Sequence, residues 1–109
     1  MEISVVKQKD MEIFAKGDTV TIKGEINHEN PEIFLTPFFN KVLIQMDGNI
    51  VIDLRYLEYL NSSGIKPIIG FLMSRNPDWH VKIKSDPKST WQRTSLKVLA
   101  SLDDNIALE

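Results

Sequence analysis

The chain has 109 residues, enough for one domain, and 42% of them are apolar, a composition that supports a core and excludes disorder. Thirteen basic residues face fifteen acidic ones for a net charge of -2, with no block of like charge, which argues against nucleic acid as the main partner because phosphate backbones demand a basic patch. There is no cysteine, so disulfides and thiolate metal sites are excluded; no signal-peptide core and no membrane-length apolar run occurs, so the expected location is the cytoplasm, with no membrane partner.

Residues 2–8 alternate weakly and read as a short edge strand. Met11, Ile13 and Ala15 alternate with Glu12, Phe14 and Lys16, a clearer strand. Gly17-Asp18 is a turn, and Thr19–Ile26 is the second arm of the hairpin. Gly24 within it marks a bulge or a close backbone approach. Asn30-Pro31 reads as a cap followed by the first helical residue. Pro37 leaves two readings open: a kinked helix, or a single turn and a fresh start capped by Thr36. Phe38, Phe39, Val42, Leu43 and Met46 form the buried stripe, and Asp47-Gly48 ends the helix.

Asn49–Leu54 is the central strand, built on the branched run Ile50-Val51-Ile52. Tyr56, Leu57, Tyr59 and Leu60 fall in a partly buried connection. Ile65, Ile68, Ile69, Leu72 and Met73 are spaced as one face of a helix running to about Arg75. Pro67 is tolerated in its first turn if Ser63 or Gly64 is the cap, which leaves Ser62 just outside the helix. Asn76-Pro77-Asp78 is a turn, and Trp79–Lys84 is a further strand. Ser89 and Gln92 fit a capping box for a helix from Thr90 to Leu102, with Leu96, Val98, Leu99 and Leu102 as its apolar residues. Asp103-Asp104-Asn105 breaks it, and Ile106-Ala107-Leu108 is a last short strand. This order predicts an α/β fold with parallel pairing in the second half.

Catalytic patterns are missing. His28 and His80 lie far apart with no cysteine partners, so no metal is expected. No glycine-rich phosphate loop, nucleophile elbow or assembled nucleophile–base set occurs, so neither a cofactor nor an enzyme is expected. What remains is the helix mouth at Ser62-Ser63-Gly64, whose free N–H groups and positive dipole end suit an anion. Capping explains Ser63 fully and the adjacent Ser62 less well, so capping and function both stay open on the residues alone.

The stretch Ile50-Val-Ile-Asp-Leu-Arg-Tyr-Leu-Glu-Tyr-Leu-Asn-Ser-Ser-Gly-Ile65 resembles the signature of STAS domains, the anti-sigma factor antagonist family. Thr21-Ile-Lys-Gly-Glu-Ile-Asn27 is similar to the family's second strand, and the element order matches over nearly the whole chain. The Asn-Ser-Ser-Gly form, with Ser89-Thr-Trp-Gln-Arg-Thr-Ser-Leu96, looks nearest to a branch of small stand-alone STAS-like proteins. The resemblance implies one STAS-like domain over residues 1–109, with a mixed four- to five-stranded sheet and helices mainly on one face. It implies a bacterial phosphorylation-regulated binding module in a partner-switching circuit: an anti-sigma factor that is also a serine kinase adds the phosphate, a serine phosphatase removes it, and the unphosphorylated form binds the kinase and frees the sigma factor. By position, Ser62 is the phosphoacceptor, with Ser63 the second choice. Asn27, Asn61 and Gly64 would form the pocket, and His28, Lys66 and Arg75 the partner-binding surface. Asn27 and Asn61 stand where the family commonly has aspartates, which removes two negative charges from beside the hydroxyl. The alternatives are a non-phosphorylated interaction or scaffold subunit, and a small-ligand sensor.

Overall fold

The computed structural model describes residues 2–109. Strands β1 (Glu2–Gln8), β2 (Met11–Lys16) and β3 (Thr19–Ile26) form an antiparallel meander. Helix α1 (Glu32–Gln45) leads to β4 (Ile50–Asp53) and β5 (Leu57–Leu60); helix α2 (Ser62–Ser74) leads to β6 (Val81–Lys84), and helix α3 (Thr90–Ala100) to β7 (Ile106–Leu108). The sheet order is β1-β2-β3-β4-β6-β7, with every pairing after β3 parallel. Helical connections between these strands are what parallel pairing requires.

Register sets which face is covered. Ala15, Val20, Ile52 and Ile83 are successive cross-strand partners, and all are buried. Ile50, Val81 and Ile106 form a second buried row. The alternate residues Phe14, Val51 and Lys82 are half-buried or exposed. The helices therefore pack on one face, sharing one apolar cluster with it. Phe39 of α1 stacks on Phe71 of α2 with centroids 4.8 Å apart. Each such side chain contributes about 1.5–3 kcal/mol by leaving water.

The sheet has more strands than the four or five expected, and the addition that bears on the site is β5. Leu57–Leu60 is not a connection. It pairs parallel with the second half of β3, while β4 pairs with the first half. One edge of β3 thus carries two strands in series. The jog between them is fixed by Asp53, which accepts from Arg55 Nε at 2.9 Å and from Arg55 Nη2 at 2.8 Å. The Arg55 guanidinium holds the Asp53 carboxyl below the usual carboxylate range, against the opposing effect of burial. Gly24 lies opposite the jog at φ +87°, and a Cβ there would sit 1.9 Å from the Asp10 carbonyl oxygen. Both sequence readings of Gly24 hold, because the β3–β5 register also shifts between Gly24 and Glu25.

Several local expectations give way to packing. Of the two readings of Pro37 the fresh start at Thr36 falls and the single helix through Pro37 holds, while Pro31 rather than Asn30 stands at the cap position of α1. Met73 and Val98, expected on buried faces, are 64% and 51% exposed. The buried positions of α2 are Gly64, Ile68, Phe71 and Leu72, and those of α3 are Gln92, Leu96 and Leu99. The Ser89–Gln92 capping box does not form. Among the described residues no helix is long and apolar enough to cross a membrane.

Candidate functional site

The site is the junction of β5 and α2. Asn61 is the helix cap, at φ -80° and ψ 171°. Its Oδ1 accepts from the Gly64 amide at 2.8 Å, and its Nδ2 donates to the His28 carbonyl at 2.9 Å. Its own amide donates to the Ile26 carbonyl at 3.0 Å. One side chain therefore caps α2 and ties it to the segment leaving β3. An aspartate could accept from Gly64 but could not donate to His28. Asn61 thus has a geometric role that a charge count alone does not suggest.

This placement corrects the expected helix start. Neither Ser63 nor Gly64 is the cap, and Ser62 is not outside the helix. Ser62 is its first residue, and Pro67 stands in the second turn. Helix geometry gives the consequence of Pro67: with no N–H there, the Ser63 carbonyl loses its usual i+4 donor. Gly64 is buried against the sheet, where a Cβ would meet Ile26 Cγ2 at 2.6 Å and Leu60 Cδ1 at 2.8 Å. That close seat presses the first turn of α2 onto β3 and β5.

Ser62 is exposed and Ser63 half-buried. Neither hydroxyl has a hydrogen-bond partner among the described residues, and neither do the Ser62 and Ser63 amides. The N–H groups of a first helical turn point along the axis toward the N-terminus, where they and the dipole favour negative charge. Lys66 is exposed and lies four residues after Ser62, one turn along the same helix flank. A groove of 580 Å³ runs beside it between α1 and α2, lined at this end by Ser63, Lys66, Glu29 and Glu32.

The remaining candidates distribute unevenly. Asn27 is exposed and next to His28, so the structure brings Asn27, Asn61, Ser62, Ser63 and Gly64 into one neighbourhood through the Asn61–His28 bond. His28 is half-buried: its ring meets Phe34 edge-on at 4.9 Å, and its Nε2 lies 3.2 Å from the Gln8 carbonyl oxygen. Arg75 does not belong to any exposed surface. It is 4% exposed, donates to the Leu72 carbonyl at 2.8 Å and pairs with Asp103 at 2.8 Å. The correction has a physical basis, since a buried guanidinium persists only when paired and hydrogen-bonded. It holds the Asp103 carboxyl below the usual range.

Sequence reasoning missed two features of this region. One is Asn61 as a two-sided tie, signalled only by an asparagine that can both accept and donate. The other is Gln92, whose Nε2 donates to the carbonyls of Leu54 and Leu57 at 2.7 and 2.9 Å, holding the jog that delivers the chain to the site. Among the described residues no group of three or more His, Asp or Glu side chains is placed to hold a metal ion.

No family model matches the sequence, and no curated protein does. Solved structures do match the fold. An anti-sigma factor antagonist from Mycobacterium paratuberculosis aligns at a TM-score of 0.62 with 20% identity, covering 96% of this chain and 89% of that one. A chain from the complex of the diguanylate cyclase SiaD with its activator SiaC, from Pseudomonas aeruginosa, aligns at a TM-score of 0.66 with 16% identity, covering 98% of this chain and 100% of that one. The mixed sheet with three helices is thus a STAS-like fold.

Proposed function

We propose that this chain is a regulatory protein-binding module whose docking face surrounds the start of α2 and is switched by phosphorylation of Ser62. The observation that carries this reading is the state of Ser62: exposed, first in the helix, its hydroxyl and amide both without a partner among the described residues. A phosphate there brings about -1.5 to -2 charges to a helix end that stabilises them, within reach of Lys66 one turn on. The same charge obstructs a partner that docks on this helix end. Asparagines rather than aspartates at positions 27 and 61 take two negative charges out of the neighbourhood of the hydroxyl, which lowers the repulsion a phosphate meets there.

The fold likeness supports the kind of role. One matched structure is an anti-sigma factor antagonist and the other contains an activator bound to the enzyme it activates. For this chain the writer of the mark is a serine kinase of the anti-sigma factor type, and the eraser a serine phosphatase. The test is phosphoprotein mass spectrometry on protein recovered from its own cells, with pull-downs of wild type, Ser62→Ala and Ser62→Asp. Phosphate on Ser62 and loss of a specific partner with Ser62→Asp are expected. Unmodified Ser62 together with identical partners for both variants would end the switch reading.

A further inference from the structure

We infer that Lys66 receives the phosphate of Ser62 and so carries the mark from the start of α2 into the groove between α1 and α2. The inference rests on the reading of Ser62 above and concerns how that mark acts. Ser62 and Lys66 are both exposed and stand four residues apart in one helix. That spacing puts them on one flank, about 5–6 Å apart at Cβ, and an anion four residues before a cation is the favourable order of such a pair. The turn that holds them is fixed before any phosphate arrives, by the Asn61 cap on Gly64 and by the close seat of Gly64 on Ile26 and Leu60.

The groove offers the phosphate one cation. Among the described residues Lys66 is the only basic side chain lining it, and Glu29 and Glu32 line the same end. Lys66 forms no ion pair with either of them or with any other described residue. The neighbouring basic groups are engaged: Arg75 is held by Asp103 and the Leu72 carbonyl, and the His28 Nε2 faces the Gln8 carbonyl. In the unmodified chain Lys66 therefore stands between two claims, Ser62 along its own helix and the two glutamates across the groove. A phosphate decides between them, because its charge of about -1.5 to -2 exceeds that of a carboxylate and the helix holds it at bridging distance. Two changes follow. The helix end, which bears a free cation in the unmodified chain, becomes net negative even with Lys66 bound, so the sign of the docking face reverses. Glu29 and Glu32 lose the cation that faced them, so the groove end becomes more negative as well.

The test uses the full chain with phosphoserine installed at position 62 during synthesis, so that no kinase is needed. The phosphate is titrated by phosphorus NMR in wild type, Lys66→Gln, Lys66→Arg and Lys41→Gln. Lys41 is exposed on α1 and does not line the groove, so its loss changes net charge alone. The wild-type phosphate should complete its ionisation at lower pH than that of Lys66→Gln, because a nearby cation favours the dianion. Lys66→Arg should restore the wild-type curve, Lys41→Gln should leave it in place, and about 1 M salt should shrink the difference. In the same samples, phosphorylation should shift the backbone amide signals of residues 29–32 further in wild type than in Lys66→Gln. Superimposed titration curves for wild type and Lys66→Gln, or an equal displacement by Lys41→Gln, overturn the inference. So does a shift of residues 29–32 that is the same with and without Lys66. The switch itself fails separately: an unmodified Ser62 in cells removes the mark, while the installed phosphate still reports whether Lys66 receives it.

Discussion

The starts of α2 and α3 look alike in sequence and are built in opposite ways. Both open on polar residues that can cap a helix: Asn61-Ser62-Ser63 before Gly64 in one, Ser89-Thr90 with Gln92 three residues after the serine in the other. At α2 the cap side chain is used, and Asn61 reaches both the helix and the loop after β3. At α3 the cap side chain is idle. Ser89 makes no side-chain cap bond, and Gln92, which could have returned to the Ser89 amide, is turned into the core. There its amide donates to Leu54 and Leu57 while its oxygen accepts from the Asp86 amide at 2.7 Å. The difference teaches that a capping motif is a local offer. It is taken up only where no buried backbone group needs the same side chain more, since an unsatisfied buried carbonyl costs about 1–3 kcal/mol and a cap yields about 1 kcal/mol.

Five substitutions break or sharpen this contrast, each read by urea unfolding of the folded chain. Gln92→Leu keeps the volume and strands the Leu57 carbonyl and the Asp86 amide; a loss of about 3 kcal/mol is expected, the largest of the set. A change below about 1 kcal/mol would mean water replaces the glutamine, and the core demand was overstated. Asn61→Ala should cost about 2 kcal/mol, one part for the cap and one for the His28 carbonyl. Asn61→Asp then separates the two parts, because the carboxylate still accepts from Gly64 but cannot donate to His28; it should recover about half of the loss. Gly64→Ala should cost about 1 kcal/mol, the crowding against Ile26 and Leu60 outweighing the better helix propensity of alanine. Ser89→Ala, the counterpart of Asn61→Ala at the other helix, should stay within about 0.5 kcal/mol of wild type. Equal losses for Asn61→Ala and Ser89→Ala would erase the distinction.

The same logic explains which parts of the molecule were legible. The β2–β3 hairpin reads correctly to the residue, because its alternation and the Gly17-Asp18 turn depend only on neighbours along the chain. β5 does not read at all. Leu57-Glu58-Tyr59-Leu60 lacks a strand's alternation, with Leu57 buried and both Glu58 and Tyr59 exposed. It becomes a strand because the jog held by Asp53, Arg55 and Gln92 sets it beside the free half of β3. Arg75 misreads for a related reason: a charged residue at a helix end looks solvent-facing until Asp103, 28 residues away, is brought against it.

At the site the division is clear. The sequence by itself determined that a buried strand would be followed by two serines and a glycine opening an amphipathic helix, because residue volume, branching and periodicity act over a few positions. Only the tertiary structure decided that Asn61 is the cap, that Ser62 is the first helical residue, and that a groove opens beside it. Those outcomes depend on the His28 carbonyl, the Ile26 methyl and the α1 surface, contacts between residues some 30 positions apart, and no local pattern encodes which distant group arrives first.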